Sequence, residues 1–288
     1  MSVAEVGVRI QRRPLLRMRR AGGALFWAAV VVLALLVFVS LFAPFLAPRD
    51  PLSIDLSHVL EGSSRQHLLG TDQSGRDIMS RLIFGARTSL LGPLGVVLVS
   101  TIAGVAGGVT AAWRGGWIDS IISRVSDLLF SFPGLLLAIL AVSLFGSGLV
   151  APVIALAIAY TPYVARLARS AALVERDRPY IAACRVQGFG GLMICVRHLV
   201  PNIAPIVLAQ ATIDFGYALI DLAALSFLGL GVQPPTADWG VMVSEGQASV
   251  LRGAPQQAMF AGAAIVVTVV AFNVIGEGFA ERIARRRT

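Results

Sequence analysis

The sequence contains no lysine, and all 24 of its basic residues are arginine. A phosphate-binding loop of the GxxxxGK[ST] type needs a lysine that reaches the phosphates of the nucleotide. A Schiff-base enzyme needs the same amine as its nucleophile. The chain is therefore excluded from both classes, and no ATP or Mg²⁺ cofactor is expected in it. If its function uses ATP, a partner subunit binds the nucleotide and hydrolyses it.

Charged residues are scarce as well. They make up 14% of the 288 residues, whereas 56% are hydrophobic, and the mean hydropathy is +0.78. A soluble domain usually carries about 25% charged residues. A chain this apolar cannot cover a water-facing surface with polar groups, and intrinsic disorder requires low hydrophobicity. Both a soluble globular protein and a disordered protein are therefore excluded.

Metal-binding side chains are few and scattered. The two cysteines, Cys184 and Cys195, have no metal-ligand spacing, and the three histidines are scattered, with no second histidine three or four positions away. No metal site and no catalytic site are expected, and the chain is not expected to be an enzyme. The excess of arginine over acidic residues could indicate nucleic acid, but its distribution along the chain favours a membrane instead.

Long apolar runs dominate the remaining sequence. A basic tail (1–23) precedes an apolar run from 24 to 47, which is long enough for a spanning helix of ~20 residues. A polar segment continues to residue 84. Residues 85–288 are predicted to form a core of five helices with a cytosolic loop at 171–200. The pattern predicts an all-α membrane protein with six transmembrane helices, the first followed by an extracytoplasmic segment (24–84). The five later apolar runs cover approximately 88–112, 118–147, 149–170, 202–232 and 257–281.

The distribution of arginine predicts the orientation. With the N-terminus in the cytosol, 18 of the 24 arginines fall on the cytosolic side, and the other six are accompanied outside by seven acidic residues. An excess of arginine in cytoplasmic loops sets membrane orientation. We therefore expect a multi-pass membrane protein with both termini in the cytosol. The cytosolic segments on this assignment are 1–23, 113–124, 164–200 and 280–288.

A polar cytosolic loop at 171–200 contains a short predicted helix. Asp177 is available as its N-cap, Pro179 lies in its first turn, and Gly188 is a stop signal in the left-handed conformation. A helix of about ten residues is ~15 Å long, which is too short to cross a bilayer. Its small residues would let another surface approach closely. A second short helix is predicted over 191–198, ending before Pro201.

This loop resembles the EAA loop of ATP-binding-cassette (ABC) importer permeases. The pattern is Glu-Ala-Ala, three residues, Gly, nine residues and then Ile-x-Leu-Pro. Ala182, Ala183 and Cys184 occupy the first three places, Gly188 the glycine and Pro201 the last. The spacing is retained, but alanine replaces the initial glutamate and cysteine the third residue.

Other motifs resemble the C-type subunit of the dipeptide/oligopeptide/nickel permease group, in the same order along the chain. They are HLLGTDQSGRDIMSRLIFGARTSLL, AAWRGGWID, RVSDLLFSFPGLLLA, RHLVPN and AALSFLGLGVQPPTADWG. The resemblance implies the type I ABC importer permease fold. It also implies a second homologous permease, two cytosolic ABC ATPases and an extracytoplasmic solute-binding protein as partners. The residues it assigns to ATPase coupling are Tyr180, Ile181, Ala182, Ala183, Cys184, Arg185, Gly188 and Phe189.

Two acidic residues interrupt the fifth apolar run. Asp214 and Asp221 are seven positions apart and therefore lie on one helical face. A charge in the hydrocarbon region costs at least ~2.5–3.5 kcal/mol, so it normally faces a cavity or a partner. The pair either lines the substrate pathway or packs against the partner permease, and the sequence leaves both possibilities open.

The sequence also predicts the structural role of three glycines and of one loop. Gly104, Gly107 and Gly108 predict close helix packing. The turn-rich stretch 70–77 predicts a rigid loop near the outer gate or a docking surface, with too few carboxylates for a calcium site.

The resemblance implies a peptide importer as the function. A permease for nickel or another metal chelate is the nearest alternative, although the apolar runs contain no cluster of histidine or methionine. A stand-alone channel or proton-coupled carrier is the alternative from another class. It leaves the structured loop at 171–200 without a role.

Overall fold

The computed structural model describes the backbone of residues 13–286 and the side chains of residues 23–282. Most of the predicted basic tail, residues 1–12, lies outside this range. The described part consists of helices and loops, with a single isolated bridge between Thr71 and Asp77. The helices are α1 (Arg13–Leu41), α2 (Ala43–Leu46), α3 (Ile78–Arg114), α4 (Gly116–Phe130), α5 (Gly134–Phe145), α6 (Val150–Arg176), α7 (Pro179–Val186), α8 (Gly191–Ile194), α9 (Val200–Phe227), α10 (Trp239–Leu251) and α11 (Gln256–Arg286).

Within the part of the chain that the structure describes, five stretches of helix are long and apolar enough to cross a membrane. The third predicted run differs from the others because it consists of two helices, α4 and α5, bent by 82° at residues 131–133. Counted as one span, this pair brings the total to the expected six. The bend follows from Pro133, which caps α5 in an extended conformation and lacks the N–H that a continuous helix needs. The five long stretches are Gly23–Leu41, Ile78–Arg114, Val150–Arg176, Gly191–Phe227 and Gln256–Arg282.

Glycines allow α3 and α6 to pack backbone against backbone. A Cβ atom on Gly104 would lie 2.6 Å from the Cβ of Val164, and one on Gly108 would lie 2.8 Å from the amide nitrogen of Arg169. The predicted close packing is confirmed at these two positions. Gly107 has only one atom at the edge of contact, a methyl group of Ile122 at 4.0 Å, so it does not share this role.

Helix boundaries differ from the sequence prediction at three places. Helix α3 already begins at Ile78, within the segment 48–84 that precedes the core. The predicted cap of α7 is wrong: Arg178 occupies the N-cap and Asp177 is exposed. The residue before a proline avoids helical geometry, so Pro179 fixes the first helical position.

The second short helix does not end before Pro201. Helix α8 continues through a π-helical turn (Cys195–Leu199) directly into α9. A proline inside a helix removes one hydrogen bond and clashes with the carbonyl four residues earlier. The wider π-helical turn lies immediately before Pro201, where it accommodates that proline within one long helix.

Candidate functional site

Helix α7 ends in the turn that the sequence predicts. Gly188 has a φ of +81°, which is the left-handed region that glycine enters without a steric penalty. Its N–H donates to the carbonyl of Arg185 at 3.0 Å, and the N–H of Phe189 donates to the carbonyl of Cys184 at 3.1 Å. This pair of bonds is the Schellman motif, which satisfies carbonyls at the end of a helix.

The inner face of α7 is held by α6 and α9. Ile181 is fully buried. The hydroxyl of Tyr180 donates to Oε1 of the buried Glu175 at 2.8 Å and accepts from Nδ2 of Asn202 at 2.7 Å. Burial and the Glu175 carboxylate raise the pKa of Tyr180 above its ordinary value. Arg178 adds an ion pair to the other oxygen of Glu175 at 3.0 Å.

Contacts with aromatic rings connect α7 to α3 as well. The Arg185 guanidinium lies over the ring of Trp113 at 4.6 Å from its centroid. The rings of Tyr180 and Phe189 both lie near His198, at 6.3 and 6.4 Å. The short helix therefore contacts the ends of three long helices, α3, α6 and α9.

The outer face of α7 is unoccupied by the rest of the described chain. Ala182 and Ala183 are exposed, and Val186 is 89% exposed. The predicted small-residue face thus lies on the surface, with Cys184 partly buried at its edge. The exposed position of Ala182 leaves room for the glutamate that the EAA pattern has there.

The structure also brings the two aspartates of α9 together. Asp214 and Asp221 both line a cavity of about 630 Å³ between α6, α9 and the bend that joins α4 to α5. Gln210 donates to Oδ1 of Asp214 at 2.8 Å. The hydroxyl of Tyr160 donates to Oδ2 of Asp221 at 3.0 Å. The prediction that both carboxylates share one helical face is confirmed.

A buried network of charges fixes the loop before α3. Arg76 and Arg81 each form ion pairs with Asp72 and with Glu245 on α10, over distances of 2.7 to 3.4 Å. Arg81 and Asp72 are fully buried. The turn-rich stretch is therefore anchored to α3 and α10, as a rigid loop requires.

The carboxylates of this loop already have protein partners. Asp77 accepts from Ser80 at the start of α3 and lies 3.0 Å from Nδ1 of the buried His67. Within residues 13–286, no three His, Cys, Asp or Glu side chains are grouped so as to hold a metal ion.

Sequence reasoning missed the residues of the long helices that hold α7 in place. Glu175, Trp113 and Asn202 come from three different helices, and only their meeting in space gives them a role. The network around Glu245 was missed for the same reason, because its partners lie 164 and 169 positions earlier in the chain. Buried charges must be paired, but no sequence pattern names the partner.

Several apolar helices of spanning length within the described residues define a multi-pass membrane protein, and an acidic cavity lies between α6, α9 and the bend that joins α4 to α5. Residues 103–288 match the family model described as "Binding-protein-dependent transport system inner membrane component". The chain belongs to this family. It is a permease component of a transport system and not an enzyme, and an ATPase and a solute-binding protein are partners that the family implies.

Three relatives extend the similarity over most of the chain. The dipeptide transport system permease protein DppC of Alkalihalophilus pseudofirmus is 37% identical over 88% of this chain and 83% of its own length. The glutathione transport system permease protein GsiD of Pectobacterium atrosepticum is 39% identical over 89% and 85%. The di/tripeptide transport system permease protein DppC of Pseudomonas aeruginosa is 40% identical over 91% and 86%.

Proposed function

We propose that this chain is the permease subunit of an ABC importer that moves short peptides across the bacterial plasma membrane. The observation that carries the substrate class is the similarity to relatives named for dipeptides, di- and tripeptides and glutathione, over 88–91% of the chain. None of these three names refers to nickel or another metal chelate. A stand-alone carrier is disfavoured because the family is binding-protein-dependent.

The complete importer contains a second, homologous permease and two cytosolic ABC ATPases, which bind ATP and Mg²⁺. A solute-binding protein delivers the peptide from outside. Both termini and α7 lie in the cytosol. The arginine-rich ends of the spanning helices support this orientation. The acidic cavity contributes to the substrate pathway through Asp214 and Asp221.

Coupling takes place at α7 and the turn that follows it. The exposed side chains of Ala182, Ala183 and Val186 form a surface on which an ATPase can dock. The opposite side is fixed to α6 and α9 through Tyr180 and to α3 through Arg185. Closure of the two ATPases on ATP pushes α7, and this push changes the relative positions of the helices around the cavity. The cavity thereby opens alternately to the two sides of the membrane.

Uptake in vesicles tests this function. We expect a radiolabelled dipeptide to accumulate in vesicles that contain the complete transporter, and only when both ATP and the loaded binding protein are supplied. Removing this chain from the complex should reduce uptake to background. Accumulation without ATP would contradict the proposal in favour of a carrier. Accumulation of a nickel chelate with no uptake of peptide would contradict the substrate class.

A further inference from the structure

We propose that Asp214 is the centre of a cation-binding subsite that receives the protonated amino terminus of the peptide as it passes through the membrane. This inference rests on the proposed function and identifies the chemical group that the cavity recognises. It assigns a direct contact with the substrate to one carboxylate oxygen.

Asp214 has one carboxylate oxygen without a hydrogen-bond partner. The side chain is only 4% exposed, and its Oδ1 accepts a hydrogen bond from Gln210 at 2.8 Å. Its Oδ2 is buried and has no hydrogen-bond partner. A buried carboxylate oxygen without a partner is costly, and intramembrane acids are normally paired or face a functional cavity. Asp221 also has one bonded oxygen, through Tyr160, but its side chain is only partly buried, so its other oxygen is not a buried atom without a partner.

The charge of the cavity favours a cation. Its lining contains two carboxylates and no arginine or histidine. The nearby Arg166 lies over the ring of Phe130 and pairs with the exposed Asp127 at 2.9 Å, so its charge is balanced outside the lining. Among the described residues, no positively charged side chain of the lining therefore competes with a ligand for Asp214.

Aromatic rings strengthen this preference. The face of an aromatic ring attracts a cation placed within about 6 Å of its centroid. The rings of Tyr160 and Tyr163 lie 6.3 Å apart, and that of Phe130 packs edge-on against Tyr163 at 4.6 Å. Arg166 already occupies the face of Phe130, so the aromatic residues of the lining that remain for a ligand cation are Phe132, Tyr160, Tyr163 and Tyr217.

The dimensions of the cavity suit a short peptide. Its volume of about 630 Å³ falls within the range of about 300–1,000 Å³ that is typical of small-molecule sites. Asp214 and Asp221 are two helical turns apart, or ~10 Å along the axis of α9. An ammonium group on Asp214 leaves the rest of a di- or tripeptide within the cavity, and Asp221 supplies a second negative charge along the same face.

Labelling of a cysteine in the cavity measures its electrostatic potential without relying on transport. The variant is Ser131→Cys, at an exposed position in the lining, in a complex with Cys184→Ala and Cys195→Ala. Cationic and anionic methanethiosulfonates of similar size are compared. Adding Asp214→Asn should lower the cationic-to-anionic rate ratio at least about fivefold, since a unit charge within several ångströms changes both rates in opposite directions. Asp177→Asn removes an exposed charge 14 residues beyond Tyr163 of the lining, or ~21 Å along α6, and it should leave the ratio within about twofold, since that separation is about two Debye lengths.

Protection experiments identify the ligand. In the detergent-solubilised complex, a free dipeptide should slow the cationic labelling of Ser131→Cys, whereas the N-acetylated dipeptide and sodium chloride at equal ionic strength should not. Asp214→Asn should abolish the protection and lower dipeptide uptake at least about tenfold, with the complex still assembled.

Four results would overturn the inference. They are an unchanged rate ratio, equal protection by the acetylated peptide, protection by sodium chloride, and failure of the Asp214→Asn complex to assemble, which would indicate packing against the second permease. The proposed function fails separately, if the wild-type complex transports no peptide at all.

Discussion

Gly188→Val is expected to abolish ATP-driven uptake while the protein still inserts into the membrane. The cause is backbone strain and not a clash, because a Cβ atom at this position would meet nothing within 4 Å. With φ at +81°, a non-glycine residue costs roughly 1–2 kcal/mol, and a β-branched residue is a severe outlier. The valine variant relieves this strain by breaking the two hydrogen bonds that close α7, so the surface offered to the ATPase changes shape.

Two matched variants make the Gly188→Val result specific. Gly190→Val introduces the same side chain two residues later, where φ is −66° and the surroundings are equally open. It should retain most of the uptake. Gly188→Asn should retain more uptake than Gly188→Val, because asparagine tolerates the left-handed region. Uptake is measured in vesicles at matched protein levels. Wild-type uptake by Gly188→Val would show that the segment is only a connector between two membrane helices.

Glu245→Gln should destabilise the folded permease more than any exposed charge change. Glu245 accepts hydrogen bonds from Arg76 and from the fully buried Arg81. The glutamine is similar in shape but removes the charge, leaving two guanidinium groups to share Asp72. Removing one partner of a buried ion pair costs about 3–5 kcal/mol. In a protein of this size each kcal/mol lowers the melting temperature by about 2–4 °C, so the expected decrease is on the order of 6–20 °C.

Thermal unfolding of the purified complex in detergent measures this effect, and Asp127→Asn is the control. Asp127 forms an exposed ion pair with Arg166, and such pairs contribute about 0–1 kcal/mol. Its melting temperature should stay within about 4 °C of the wild type. Equal melting temperatures for Glu245→Gln and Asp127→Asn would contradict the assignment of the buried network as the anchor of the external loop.

The features that depend on neighbouring residues could be predicted from the sequence. Apolar runs predict the spanning helices because each must cover about 30 Å of hydrocarbon. The spacing of Gly188 after a short helix predicts its left-handed turn, and the seven-residue interval predicts the shared face of Asp214 and Asp221. Each of these inferences uses only the geometry of one helix.

Features that depend on distant parts of the chain could not be predicted. The contacts that hold α7 in place depend on Glu175, Asn202 and Trp113, which come together from the ends of three helices. The 82° bend in the run 118–147 is a different case, because Pro133 marks it locally, but hydropathy alone gives no signal for it since both halves are apolar. The free oxygen of Asp214 is likewise a property of packing, because the same sequence would allow a partner from any neighbouring helix.

Site-specific cross-linking at α7 tests the coupling claim most directly. Val186 is 89% exposed on the outer face of this helix, so Val186→Cys, with Cys184→Ala and Cys195→Ala, provides one reactive thiol. A cross-linker with one thiol-reactive and one amine-reactive end then captures lysines of whatever protein docks there. Because this chain has no lysine, it offers the amine-reactive end no side chain of its own.

The account predicts a cross-link from Val186→Cys to an ATPase subunit in the assembled transporter, with a yield that changes when ATP is added. Ser63→Cys, exposed on the external loop, should form no such product. An assembled, transporting complex in which Val186→Cys gives no ATPase adduct, or in which Ser63→Cys gives one, would contradict both the coupling role of α7 and its cytosolic location.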